Sequence, residues 1–421
     1  MSKARTVKPS ETPRRGPVAY LRALGPGIIS GASDNDPTTV GTMAVLGATT
    51  VYGLSWLTIL IYPMLAVIQM ISAQVGVVAK QGLQRVVRER YGRRWGFLLL
   101  ASLLVVNLIT IGADLEGGAA ALGLLFHVSW QWFVIPFAAV MLTIITLGSY
   151  RALENVLQYV LLVFVAYMAA AFLARPDWVA VFQATIHPAL KFNSTYVQGA
   201  LALLGTTLTS YAYVWQTIEE AEEKPKVSEL GLQRADAGVG MIFAVAIFWF
   251  ILISTGATLG IHHKHVATAQ QAAQALVPVA GPLAGDIFAL GLLASAILAV
   301  PVLAATSGYV LGHEFGWKVG LSRKIGECPA FYGAVAGATA IAVIISFVGV
   351  SPIQLLFVAG MAGGLGTPVS LAFLLLASRD KQVMGNHRMN PVLLAMGWVT
   401  LVVVTLVSLF FLAQQFGFVH V

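Results

Sequence analysis

Apolar runs of bilayer length recur along this chain, and they constrain its fold more than any other feature. A helix needs about 20 apolar residues to cross the hydrocarbon core of a membrane. Eleven segments meet or approach that length: 24–46, 54–79, 96–126, 131–148, 154–174, 199–219, 237–260, 284–312, 331–349, 353–378 and 392–414. Short polar stretches punctuate them, and tight connections near Val128 and Ser351 join neighbours directly. With 10% charged residues and a mean hydropathy of +0.81, the chain has too little polar surface to cover a soluble globule. In lipid the backbone must satisfy its own hydrogen bonds, so the spans are predicted to be helices. The expectation is an all-α polytopic membrane protein.

The basic residues test this layout. With the N-terminus inside, only Arg175, Lys191 and Lys264 fall on outer segments, leaving 22 of the 25 Lys and Arg inside. An invented or missing span would scramble that asymmetry. The net charge of +7 is therefore read as topological, and no nucleic-acid partner is needed to explain it. Residues 1–18 read as a mobile cytoplasmic tail and 19–421 as one transmembrane domain. Its parts are a first repeat at 24–174, a second at 199–378 and an extra helix at 392–414. An odd number of spans puts the C-terminus outside, as in a protein of the cell membrane. The single Cys328 excludes an internal disulfide or a cysteine cluster.

Two spans break the rules of an uninterrupted helix. Gly25 to Thr42 (GPGIISGASDNDPTTVGT) carries four glycines, two prolines and two acids inside the first span. Proline disfavours helix at the preceding residue, so Asp36-Pro37 is an unwinding point. Each aspartate costs on the order of 2.5–3.5 kcal/mol if placed at mid-membrane. Unwound backbone at that depth is tolerated where it lines a cavity, and carbonyls beside a carboxylate suit a cation. Asp34 and Asp36 are two apart, so they serve one ion only if the helix is broken there. The alternative is a surface loop. Five spans later, Gly199 to Gln216 carries Gly205, Thr206, Thr207, Thr209 and Ser210. Alone this could be small-residue helix packing. Paired with the first span, it matches two interrupted helices at equivalent positions of an inverted repeat.

Asp114 and Glu116 in the third span are candidates for a proton or ion pathway, or for a buried structural pair. Arg151 and Glu154 read as a local ion pair at a helix start. Glu219, Glu220, Glu222 and Glu223 read as a solvated loop face, with an ion exit as the alternative. His262, His263 and His265 read as surface residues. The spans hold no nucleophile–base pair and the chain carries no phosphate-binding loop, which argues against an enzyme and against a bound cofactor.

These residues carry a resemblance to the Nramp family of divalent-metal transporters, and within that wider group to the Nramp-related magnesium transporters. It extends from Leu24 to about Leu412. Gly25-Pro26-Gly27 is followed after eight residues by Asp36-Pro37-Thr38-Thr39, where the family has Asp-Pro-Gly-Asn. The resemblance thus places the metal-binding aspartate at Asp36 and the binding asparagine at Thr39. The string Ala32 to Pro37 is similar to the magnesium-transporting relatives. Tyr150 to Glu154, Gly291 to Ala296, Pro368 and the segment Lys381–Gly385 also match. The chain departs from the family where the sixth span has Met-Pro-His, because Thr209-Ser210-Tyr211 stand there. A hard hydroxyl replaces a soft thioether, which favours magnesium, calcium or manganese. Losing the histidine puts proton coupling in doubt. Asp114 and Glu116 are two apart, where the family spaces its acids by three, and Gly366 falls where some members have a glutamine.

The expected fold is two inverted five-helix repeats of the LeuT kind plus one extra helix. The expected function is alternating-access transport of a divalent cation, magnesium and/or manganese. Metal ligands are expected among Asp36, Thr39, Asp34, Thr206 and Thr209. Small side chains at Thr38, Thr39, Thr209 and Gly366 leave room for the waters that magnesium keeps. The rivals are a proton-coupled manganese or iron importer, using Asp114 or Glu116, and a sodium-coupled carrier of a small organic solute. The last would want a basic residue in a broken span, and neither span has one. The partners expected are the ion and the bilayer; the oligomeric state is left open.

Overall fold

The structure, a computed structural model, describes residues 35–147, 166–188, 190–223, 230–264 and 266–419. The tail, the first part of span one with Gly25–Gly27 and Asp34, the pair Arg151 and Glu154, and His265 lie outside the described residues.

Among the described residues every regular element is helical. The longer ones are α1 (Pro37–Thr50), α2 (Ser55–Ala79), α3 (Leu83–Tyr91), α4 (Arg93–Phe126), α5 (Gln131–Leu147) and α6 (166–173). They continue with α7 (Trp178–Ile186), α8 (Ser194–Thr207), α9 (Ser210–Glu223) and α10 (Leu230–Thr258). The chain closes with α11 (Ala284–Phe315), α12 (Pro329–Ile345), α13 (Pro352–Arg379) and α14 (Pro391–Gln415). Local chemistry sets many starts. Asp36, Asp177, Asn193 and Asn390 accept backbone N–H groups as N-caps, and Pro37, Pro329, Pro352 and Pro391 take first-turn positions where a missing N–H costs nothing.

Among the described residues six helices are long and apolar enough to cross a membrane, and α5 and α12 are shorter apolar helices. Their packing is reciprocal. The first span (α1) packs on the seventh (α10), and the second (α2) on the second half of the sixth (α9). Second and seventh spans pack together, as do third and eighth, α4 on α11. Each pairing of spans i and j has its mate five spans along, as a twofold axis between two halves requires. This is the inverted-repeat, LeuT-like architecture expected from the sequence. The eleventh span stands apart: 22% of its spanning window is buried, against 56–67% in the other five long spans, so α14 is a peripheral helix.

The structure adds two helices between the spans and corrects one reading. The segment Lys80–Arg94 contains α3, an amphipathic helix that buries Leu83, Val86 and Val87 and turns its charges outward. Arg175–Asn193 likewise contains α7. The acidic cluster is the last turn of α9 and not a loop. Glu220 is buried, because Gly76 leaves room for it on α2, and it accepts from Gln216. Glu222 accepts from Tyr309 at 2.5 Å. His262 and His263 lie on the surface.

Candidate functional site

The described part of span one begins at Asn35 and Asp36, and helix α1 starts at Pro37. The first turn of a helix has N–H groups with no partner within the helix. Two carboxylates meet them. Asp36 Oδ1 accepts from Thr39 N–H at 2.7 Å. Asp114 Oδ1, from α4, accepts from Thr38 N–H at 3.2 Å and from the Thr38 hydroxyl at 2.8 Å. A helix N-terminus attracts anions through the same groups. Asp114 reaches it because α4 presents Gly117 on the same side, where a Cβ would stand 3.2 Å from the Pro37 Cβ.

The sixth span is broken, as its small and hydroxyl residues suggested. Helix α8 ends at Thr207, Leu208 and Thr209 leave the helix, and α9 begins at Ser210. The Leu208 carbonyl accepts from the Thr367 hydroxyl of α13 at 2.9 Å. Thr39 and Thr206 pair their hydroxyls at 3.0 Å across the gap between α1 and α8. Tyr211, the second residue of α9, donates its hydroxyl to Asp36 Oδ2 at 3.1 Å. The start of α1 and the break in the sixth span thus meet at Asp36. Thr206 and Thr209 are buried, and the Ser210 hydroxyl is buried at the break with no hydrogen-bond partner.

Close backbone approach fixes this junction. Helices α8 and α13 cross at glycines: a Cβ on Gly205 would overlap the Gly360 carbonyl and the Gly364 amide, and one on Gly363 would lie 2.7 Å from the Gly205 carbonyl. Gly366, the tenth-span position expected to leave space at the ion, faces elsewhere. A Cβ there would meet Val106, and its carbonyl accepts from Ser102 of α4 at 3.1 Å. Its neighbour Thr367 meets the break instead.

Asp36, Thr39, Thr206 and Tyr211 therefore form one hydrogen-bonded set, Asp114 and Thr38 form a second on the same first turn of α1, and Thr209 lies in the adjoining break. Glu116 is part of neither set. Helix α4 runs unbroken through both acids, so residues two apart face different sides. Both Glu116 carboxylate oxygens and Asp114 Oδ2 are buried without hydrogen-bond partners. Tyr211 and Thr367 went unrecognised as site residues. Nothing in their local sequence separates them from apolar packing, and only the crossing of three helices places them.

The chemistry is oxygen alone. Among the described residues no three of His, Cys, Asp and Glu group as a metal cluster. The ion pairs, Arg85 with Glu89 and Arg90 with Asp380, lie away from this group. Two buried carboxylates therefore stand among hydroxyls and amides, with no basic side chain among their hydrogen-bond partners. A cavity of about 400 Å³ opens over Ala120, one turn past Glu116, between the connections at Val128–Gln131, Thr268–Gln270 and Gly349–Pro352.

Known proteins agree with this architecture. The family model "Natural resistance-associated macrophage protein-like", Nramp, matches residues 27–414. The divalent metal cation transporter MntH of Deinococcus radiodurans is 28% identical, over 96% of this chain and 92% of its own length. The MntH protein of Aeromonas hydrophila is 26% identical, over 90% and 92%. A crystal structure of the Eremococcus coleocola manganese transporter superposes with a TM-score of 0.75 at 19% identity, covering 96% of this chain and 89% of that one. Mhp1, a nucleobase-cation-symport-1 family transporter, shares the fold more distantly, at a TM-score of 0.59, 14% identity and coverage of 97% and 96%. With the family model spanning almost its whole length, on the fold that the broken helices required, this chain belongs to the Nramp family.

Proposed function

We propose that this chain is a secondary transporter that carries a divalent metal cation, magnesium and/or manganese, by alternating access. The reading rests on one observation above all: Asp36 and Asp114 converge where the start of α1 meets the broken sixth span, and among the described residues their hydrogen-bond partners include no basic residue. Buried charge needs a countercharge, and a transported cation supplies it. Asp36, Thr39, Thr206 and Thr209 are the proposed ligands within the described residues, with Asp34 close in sequence. The ion is cargo, and no resident cofactor is invoked. Membership of the family and the names of the MntH relatives support divalent-metal transport.

The choice of ion follows from donor type. Carboxylate and hydroxyl oxygens suit magnesium and manganese, and Thr209 offers no sulfur to a softer metal. An inside-negative potential draws in a divalent ion at about 2.3 kcal/mol per charge per 100 mV. Uptake then needs no proton. The distribution of Lys and Arg supports a cytoplasmic N-terminus in the cell membrane, with the C-terminus outside.

A second reading, a proton-coupled manganese or iron importer, draws on the unpartnered oxygens of Glu116 and Asp114. Uptake by purified protein in liposomes, with magnesium and manganese supplied separately and internal pH recorded, separates the two. Uptake of either ion without acidification is the expected result. Acidification in step with manganese would replace this reading by the second, and no uptake of either metal would remove both.

A further inference from the structure

On the side of the molecule rich in Lys and Arg, α3, the end of α11 and the segment that follows enclose a cavity of about 270 Å³. Four cations line it: Arg85, Arg88, Lys318 and Arg323. The single acid there is Glu89, so the lining carries four positive charges against one negative, a net +3. Glu89 is spent on Arg85 at 2.8 Å. The other cations have no carboxylate in the cavity.

The cavity is a built feature. Arg88 is held in place by donating to the His313 carbonyl at 3.0 Å. The segment bearing Lys318 and Arg323 is tied down at two points. Leu321 N–H donates to the Tyr309 hydroxyl at 3.0 Å, and Tyr332 donates to the Arg323 carbonyl at 2.9 Å. Tyr309 also donates to Glu222, so the same segment is fastened to the broken sixth span.

Its surroundings place it at the depth of lipid headgroups. Trp317 is part of the wall, and Phe315 stacks on it with ring centres 5.3 Å apart. Phe97 meets Phe315 edge-on at 6.0 Å, and Arg93 lies over Phe97. Trp95, Phe97, Phe315 and Trp317 are all exposed. Such aromatic groups mark the membrane–water interface, and the amphipathic α3 lies beside them. Guanidinium and ammonium groups converging at that level match a phosphate.

We propose that this cavity binds the phosphate of an anionic membrane lipid, and that the bound lipid braces the inner end of α9 through Tyr309. The proposal does not depend on which ion is carried. Each cation near such a surface changes lipid affinity about fivefold, so removing two changes it by about thirtyfold. Lys318→Gln with Arg323→Gln is the variant of choice, because both side chains are exposed and lie outside the ion site. Full-length purified protein is titrated with phosphatidylglycerol or phosphatidylcholine, and bound lipid is counted by native mass spectrometry. Phosphatidylglycerol should be retained in preference, lose about thirtyfold in the double variant, and resist competition by inorganic phosphate at constant ionic strength. Equal retention of the two lipids, or an unchanged double variant, would overturn the proposal. Full displacement by inorganic phosphate would overturn the lipid assignment in favour of the free anion. Uptake in pure phosphatidylcholine vesicles, the same for variant and parent, checks that the variant is folded.

Discussion

The hydroxyl pair Thr39–Thr206 allows a test that separates stability from transport. The two oxygens are 3.0 Å apart and both residues are buried. Valine has nearly the shape of threonine, so Thr39→Val leaves the Thr206 hydroxyl facing a methyl group, and Thr206→Val does the converse. A buried polar group stripped of a partner costs about 1–3 kcal/mol, whereas replacing both partners by apolar groups of the same shape is nearly neutral. Each single variant should therefore lower the thermal midpoint in detergent by about 2–6 °C, taking about 2 °C per kcal/mol for a chain of this size. The double variant should lose less than the two single losses added together, because neither hydroxyl is left facing a methyl group, although Asp36 still loses the Thr39 side chain as a partner. Transport should show no such relief. If the hydroxyls hold the ion or its water, removing both should cut the initial rate at low ion concentration by at least about tenfold, the factor that 1.4 kcal/mol represents. The assays are the heated fraction that stays monodisperse on size exclusion, and liposome uptake from the same preparations. A double variant with that smaller loss of stability and parental uptake would refute the reasoning and leave the pair a packing contact.

Other outcomes follow from the same geometry. Asp36→Ala should abolish uptake while the protein remains monodisperse, and parental uptake in that variant would remove Asp36 from the site. Thr209→Met puts sulfur into the break and should make cadmium a stronger competitor of manganese uptake; competition equal to the parent's would mean that position 209 does not face the ion. Gly205→Ala should cost roughly 2–3 kcal/mol, at the upper end for overpacking, because the atoms it meets are backbone and cannot swing away. Gly337→Ala on α12, where a Cβ meets nothing within 4 Å, should raise the thermal midpoint slightly, since alanine favours helix by about 1 kcal/mol. Midpoints that move alike in these two variants would contradict the packing described.

Much of the fold was legible because a bilayer leaves the chain few options. Apolar length and the bias of Lys and Arg produced spans whose limits agree with the helices to within a few residues in most cases. Asp36-Pro37 was legible because its chemistry is local: a carboxylate and a proline at one helix start say where the helix begins whatever surrounds it. The break in the sixth span could be sensed from Gly205 to Ser210. Its position at Leu208 and Thr209 could not, because it is set by Thr367 reaching the Leu208 carbonyl from another helix. The same limit hid Tyr211 and misplaced interest on Gly366, whose direction depends on how α13 is rotated against α4. The acidic residues of α9 misled for a related reason: charge density suggested solvent, yet Gly76 on a neighbouring helix makes a berth for Glu220.

The glycine crossing of α8 and α13 bears on how tightly the protein insulates the membrane. A chain of waters needs a void of at least about 10–15 Å³ at every step. At Gly205, Gly363 and Gly364 not even a methyl group fits between the two helices, and Gly205 adjoins Thr206. Side chains swing and open transient gaps, but a contact made of main-chain atoms within two helices opens only if a whole helix moves. On that flank the seal is thus part of the scaffold itself. A leak current through liposomes, small in the parent and raised by Gly205→Ala, would be the signature of that seal giving way.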